Sequence, residues 1–337
     1  MSKRVKILII LLVVLVLSMG GYLVYDKLFS KDAKDSDSSS SDTTKENQTK
    51  DQPSDSGKKD QDPNQYNWST MKQGPYKDKV SYAIGSSLTS WTDSSKILAE
   101  HASVPDVLYK DGIIYIYFVD VSKDGVPEQT GLMTSSDQGQ TWSNKQNIII
   151  NGIGDKVVAD PAPYLMEDGR IRLYYFDISK TMIEGTEKNT IYSAISSDGI
   201  NFTQEEGARF AYPNIFDPDV IKVGDTWRLY VGSEEKVLSA TSIDGLTFTY
   251  EGIAYSNGSI PNVVYENNLY YLFTGGINIS TSSDGKTFTK TSNRFDPGKP
   301  ANDPGVAKIS DGKYILVYKT SDIINKPSEP NNPSPTN

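Results

Sequence analysis

The sequence predicts an all-β fold, a five-bladed β-propeller closed by its N-terminal strands, preceded by a single transmembrane helix and a disordered tether. Three observations carry that prediction. A proline-centred hairpin recurs five times, a Ser-x-Asp turn closed by Gly follows four of the hairpins, and a partner for the fifth stands at the opposite end of the domain.

Residues 1–30 place Lys3, Arg4 and Lys6 before an uncharged, mostly apolar run from Ile7 to Tyr25. At ~1.5 Å per residue such a run matches the hydrocarbon thickness of a bilayer, and positive charge ahead of it keeps the N-terminus cytoplasmic. The reading is a signal anchor at the cell membrane with the rest of the chain outside. The alternative is a signal peptide cleaved near Ser18 or Gly20 and a secreted product. The chain has no cysteine, which excludes a lipoprotein, disulfides and thiolate metal sites.

Residues 31–75 are Ser, Asp, Lys, Thr and Gln with few aliphatic side chains, as in "KDAKDSDSSSSDTTKENQTK". Such a stretch cannot bury enough apolar area to offset its ordering entropy, so a solvated tether is expected. The tail, residues 323–337, reads the same way. Residues 76–322 remain for the folded domain. The net charge of −9 offers no basic stripe to neutralise phosphates, which argues against nucleic acid as a partner; a monomer is expected.

The five hairpins are "VPDVLYKDGIIYIYF", "DPAPYLMEDGRIRLYYF", "DPDVIKVGDTWRLYV", "IPNVVYENNLYYLFT" and "DPGVAKISDGKYILVY", centred on Pro105, Pro161, Pro218, Pro261 and Pro304. Asp-Gly, Gly-Asp or Asn-Asn supplies the tight turn in each. The turns "SSDQGQTW", "SSDGINF", "SIDGLTF" and "SSDGKTF" follow the first four, with Ser and Asp placed to bond the turn's own N–H groups and an aromatic to plug the space between sheets. The fifth hairpin has its partner upstream: "AIGSSLTSWT" at 83–92 aligns on "AISSDGINFT" at 194–203, with Ser87 and Leu88 replacing Asp and Gly. A unit of four strands repeated five times and split between the chain ends is the closure of a propeller, which removes open sheet edges. A β-sandwich or solenoid does not need the offset.

Inner strands opening on Asp-Pro, followed by Ser-x-Asp-Gly-x-x-Phe turns over residues 80–320, resemble the arabinanase, levansucrase and invertase-like glycoside hydrolases, particularly the family 43 type. The "SSDQGQTW" turn also resembles the Asp box of sialidases. In such a propeller the first strand of each blade lines the axis, so the residues around each proline form a ring at one mouth. Before proline stand Val104, Asp160, Asp217, Ile260 and Asp303; after it, Asp106, Ala162, Asp219, Asn262 and Gly305. The second strand returns to the same mouth, bringing Asp120, Asp177, Glu234 and Lys319 to the rim, while the Asp boxes fall on the opposite face.

The resemblance implies glycosidic-bond hydrolysis by paired carboxyl groups, an acid that protonates the leaving oxygen and a base that activates water. Its pattern puts an Asp base, an assisting Asp and a Glu acid on successive blades. This chain departs from it twice, with Val104 in the place of the base and Asp217 in the place of Glu. The catalytic candidates are therefore Asp160 and Asp217 as a central pair, with Asp106, Asp303 or Glu234 as the third carboxyl group. Candidates for contacting a glycan are Asp219, Asn262, Asp120, Asp177, Tyr164 and Arg209. The competing account of every Asp-Pro is structural, a carboxylate bonding backbone N–H groups at a strand entry whose proline fixes φ.

One histidine, His101, and no cysteine make a zinc site implausible, and no cofactor is called for, although funnel carboxylates leave room for a calcium or sodium ion. The 21 tyrosines concentrate in the inner hairpins, where pleated surfaces favour aromatic packing. A sialidase would need a cluster of arginines for its substrate's carboxylate, and the domain offers only Arg170, Arg172, Arg209, Arg228 and Arg294. Two readings stand: a surface-anchored hydrolase-like propeller acting on or binding an extracellular polysaccharide, and a non-catalytic glycan- or protein-binding propeller that has lost the acid–base set. Long connections at 121–131 and 179–190, carrying Glu128, Glu184 and Glu187, are expected to wall the mouth beside the first two blades.

Overall fold

The computed structural model describes residues 66–180 and 188–322. The anchor assigned to residues 1–30 and the tail lie outside them, as do Glu184 and Glu187. Among the described residues no helix is long and apolar enough to cross a membrane. Residues 66–67 and 124–126 form a small separate unit, and the propeller is built from the rest of the described chain. Its order begins before residue 76: a short 3-10 helix at Trp68–Thr70 buries Trp68, the kind of large apolar side chain that the polar run ahead of it lacks.

Two long strands open the domain, β1 (Asp78–Ser87) and β2 (Ser90–Glu100). The first blade follows as β3 (Ala102–Lys110), β4 (Ile113–Asp120), β5 (Gln129–Ser135) and β6 (Gln146–Asn147). The second is the most elaborate. It runs β8 (Val158–Leu165), β9 (Ile171–Asp177), β10 (Asn189–Ser196) and β11 (Asn201–Gln204), with β7 (Ile149–Asn151) added parallel to β11 and β12 (Phe210–Tyr212) paired with β10. The third comprises β13 (Phe216–Val223), β14 (Thr226–Ser233), β15 (Lys236–Ser242) and β16 (Thr249–Tyr255), and the fourth β17 (Asn262–Glu266), β18 (Leu269–Thr274), β19 (Asn278–Ser282) and β20 (Thr289–Arg294). Finally β21 (Asn302–Ser310) and β22 (Lys313–Ser321) join the two opening strands in the order β2-β1-β22-β21. The expected split blade is present, with β1 antiparallel to β22 from Asp78↔Ser321 to Gly85↔Tyr314.

Apolar burial follows the ring. Each of five core clusters draws on two adjacent blades: the fifth and first around Phe118 and Val317, the first and second around Tyr117 and Leu173, the second and third around Tyr174 and Leu229, the third and fourth around Tyr230 and Leu272, the fourth and fifth around Phe273 and Leu316. Period-2 alternation explains this arrangement, since a strand buried on both faces sends successive side chains into two different junctions.

The Asp boxes hold as the sequence implies. In the second blade Ser196 Oγ accepts the Gly199 N–H at 2.9 Å, and Asp198 accepts those of Ile200 and Asn201 at 2.8 and 2.7 Å. In the first, the Thr141 hydroxyl and N–H groups hold the Asp137 carboxyl down at about 2. The structure adds a role for the tyrosines. Tyr117, Tyr174 and Tyr230 donate their buried hydroxyls to the carbonyls of Gly199, Gly245 and Gly285 in the following blade's box, at 2.9, 2.8 and 2.7 Å, and Tyr82 of β1 does so for Gly139 at 2.8 Å. At the remaining junction, where Ser87 and Leu88 replace Asp and Gly, the lock is apolar instead, with Leu88 buried beside Phe273 and Ile277.

Candidate functional site at the axial mouth

Four of the five inner strands enter through a β-bulge, and the fifth, β17, begins just after its Ile260-Pro261 pair. The ladders of β3, β8, β13 and β21 skip register between Ser103 and Asp106, Ala159 and Ala162, Phe216 and Asp219, and Asn302 and Gly305. Proline lacks the N–H that a ladder needs, so the X-Pro pair sits in the bulge. All five residues before proline take positive φ: Val104 at 45°, Asp160 at 53°, Asp217 at 44°, Ile260 at 63° and Asp303 at 49°. For β-branched Val104 and Ile260 that is a strained conformation, and each such residue costs about 1–3 kcal/mol. The bulges turn the X-Pro pairs onto the axis, where all five pairs, with Asp106 and Asn262, line one cavity. The cavity is narrow, ≈ 20 Å³, room for about one water, so it forms a floor and any larger ligand must lie above it.

The upper tier carries charge. Asp160 Oδ2 accepts the Asp217 N–H at 3.0 Å, and Asp217 Oδ2 is buried without a partner. Burial pushes the Asp160 carboxyl up to about 6. Burial, reinforced by the Asp160 and Asp303 charges, pushes Asp217 well above the carboxylate range. Asp303 is ion-paired with Lys319, Nζ to Oδ2 2.5 Å, with the two side chains 1% and 15% exposed respectively. Burial opposes the lysine's charge, but Asp303 and Asp78 outweigh it and raise its pKa. Asp78, the first residue of β1, accepts a hydrogen bond from Ser103 Oγ at 3.1 Å and is itself raised by burial.

Glu128 completes this tier. It stands immediately before β5, at the mouth end of the first blade, and is buried with Oε1 unpartnered. Burial first, then the charge of Asp160, pushes its carboxyl up to about 8. The sequence placed Glu128 only on a loop wall; its one signal was a position where a long connection re-enters the sheet. Lys319 stands at the rim as expected, whereas Asp78 was hard to assign because its place depends on blade closure.

The lower tier ties blades together. Asp219 Oδ2 accepts the Val263 N–H at 2.6 Å, Asn262 Oδ1 accepts the Val306 N–H at 2.9 Å, and Asn262 Nδ2 reaches Asp106 Oδ1 and Asp219 Oδ1 at 3.2 and 3.4 Å. Asp106 also accepts its neighbour Val107's N–H at 2.7 Å. Gly305 closes the tier so tightly that a Cβ there would fall 2.6 Å from both Cα and Oδ1 of Asp106 and 2.9 Å from Val317. Gly305→Ala is therefore expected to lower stability by at least about 2 kcal/mol, measured by denaturant unfolding.

The remaining sequence candidates lie elsewhere. Asp120 holds the Ser122 N–H at 3.0 Å and Lys145 Nζ at 2.8 Å, and Asp177 holds the N–H groups of Val157 and Ser179; both are rim residues turned to their own loops. Glu234 is half-exposed in the β14–β15 turn, 3.4 Å from Lys236. Tyr164 sits near the far end of β8, its ring 4.6 Å from that of Trp227. Arg209 is buried at the junction of the second and third blades, donating to the carbonyls of Glu206 and Gly207, its own carbonyl taking the Phe248 N–H beside an Asp box. His101 stacks on Tyr76 at 3.9 Å. Among the described residues no group of three or more His, Asp or Glu side chains is arranged to hold a metal ion.

The chain is a five-bladed β-propeller with carboxyl groups on its axis. No family model and no curated protein matches the chain by sequence, but solved structures do by fold. The Bombyx mori GH32 beta-fructofuranosidase BmSUC1 superposes with a TM-score of 0.52 at 17% identity, over 72% of this chain and 57% of that one. A mutant of the same enzyme in complex with sucrose gives 0.51 at 18%, over 64% and 54%. An endo-1,4-beta-xylanase from Bacteroides thetaiotaomicron gives 0.50 at 17%, over 65% and 84%. The chain thus spans little more than half the length of the fructofuranosidase.

Proposed function

We propose that the protein is a glycan-directed propeller, held outside the cell by its N-terminal segment, whose axial mouth carries a glycosidase-type acid–base set. One arrangement carries this reading: Glu128, buried with Oε1 unpartnered, interacts with Asp160 on the axial cavity, and burial raises both carboxyl groups, to about 8 and about 6. At neutral pH the first keeps its proton and the second is largely ionised, the division of labour that hydrolysis requires. Glu128 would protonate the glycosidic oxygen as its bond to carbon breaks, and Asp160, flanked by Asp217, would take the proton from the water that adds to that carbon. Substrate would lie on the ring floor.

The test is a screen of chromogenic glycosides and a glycan array. Glu128→Gln is expected to lose at least about 100-fold in turnover while keeping glycan binding, and Asp160→Asn to lose the acidic limb of the pH profile. Binding on the array without turnover of any glycoside would instead favour a non-catalytic glycan-binding propeller. Val104 in the place of the base and the Asp160 bond to a backbone N–H favour that second reading.

A further inference from the structure

The lower tier of the axis poses a charge problem that neither reading uses. Asp106 and Asp219 approach one amide, Asn262 Nδ2, from two different blades. Two carboxylates held side by side, Asp219 buried and Asp106 half-buried on the axial cavity, disfavour each other's charge when no cation stands between them. The groups facing them supply none. From β8 comes Ala162, from β21 Gly305, from β17 Asn262, from β4 Tyr117 opposite Asp106 in the ladder, and from β14 Tyr230. On the tier above stand Asp160, Asp217 and Asp303, and the nearest lysine, Lys319, is engaged with Asp303.

The hydrogen bonds say where a proton belongs. Both oxygens of Asp219 accept, Oδ2 from the Val263 N–H and Oδ1 from Asn262. Asp106 uses only Oδ1, for Val107 and Asn262. We infer that a proton on Asp106 Oδ2 is a structural component of the closed ring, so that the propeller is tightest in mild acid and weakens as pH rises through neutrality. Burial and the Asp219 charge raise Asp106 well above the carboxylate range, and burial takes Asp219 to about 7, in the same direction.

The sign follows from linkage. An unfolded Asp titrates at about 3.9, so above that pH unfolding releases the bound proton, and stability falls with rising pH until the folded value is passed. Asp106→Asn imitates the protonated acid in shape and places an N–H at Oδ2, removing the unfolded-state titration. Calorimetric unfolding of the purified protein at pH 6, in buffers of different ionisation enthalpy, counts the protons released. Wild type should release protons, and Asp106→Asn about one fewer. The two should melt alike near pH 4, with the variant gaining about 3 °C per pH unit up to neutrality. Asp219→Asn, which points an amide at Asn262 Nδ2, should instead melt lower than wild type at pH 4. Equal proton release by wild type and Asp106→Asn would overturn the proposal, as would no net release by wild type. Failure of Asp106→Asn to fold would also overturn it, because the tier would then need two charges.

Discussion

Deleting residues 78–99 leaves a chain that does not close, and the expected product is aggregated or molten rather than a smaller propeller. The deletion strips β22 of its partner from Tyr314 to Ser321 and exposes an apolar edge that templates association. It also removes Val80, Tyr82 and Leu88, each buried to 3% exposure or less, from the two junctions flanking the fifth blade. At about 1.5–3 kcal/mol for each large side chain, that loss alone matches much of the 5–15 kcal/mol by which a domain is typically stable. The Tyr82 lock onto Gly139 and the Asp78–Ser103 bond go with it. Light scattering and thermal melting of a chain beginning at Ser103, beside one beginning at Tyr66, make the comparison. A monomer that melts as cooperatively as the longer chain would show that the N-terminal strands do not complete the ring.

The closure was legible in the sequence because it is a statement about repeats. Ser87 and Leu88 align on an Asp box without its Asp and Gly, and the structure puts that substitution at the one junction where a buried leucine replaces the tyrosine-to-glycine lock. The axial ring was legible for the same reason: five prolines at equivalent positions mark five strand entries, and their neighbours line one cavity. What a carboxyl group does there was not legible. Asp217 and Asp219 are two residues apart and look interchangeable, yet the bulge separates them into tiers, one with an unpartnered oxygen and the other tied to the next blade. Lys319 was legible at the rim from the return of the second strand and Glu128 only on a loop wall, whereas Asp78 meets the ring through blade closure and its sequence position carries no trace of it. Tyr164 and Arg209 were drawn toward the mouth by nearby Asp-Pro pairs, but strand direction carries Tyr164 to the far end of β8, and Arg209 packs at a blade junction beside an Asp box.

Replacing Lys319 by methionine is the second large effect expected. Methionine keeps most of the stem's volume and removes the ammonium, so packing is nearly conserved while Asp303 loses its counter-charge inside a tier that already holds Asp78, Asp160 and Asp217. Removing one partner of a buried ion pair costs about 3–5 kcal/mol, because the charge left behind is neither solvated nor paired. The loss should depend on pH: in acid, where the raised carboxyl groups of this tier take up protons, the variant should recover toward wild type. The double variant Lys319→Met/Asp303→Asn should also recover most of the stability at every pH, since an amide needs no counter-charge. Denaturant unfolding of the four proteins of this cycle at pH 4 and pH 8 separates the coupling from simple repacking. A single variant as stable as wild type at pH 8, or a double variant no better than the single, would mean that the lysine is not what holds Asp303 in the ring.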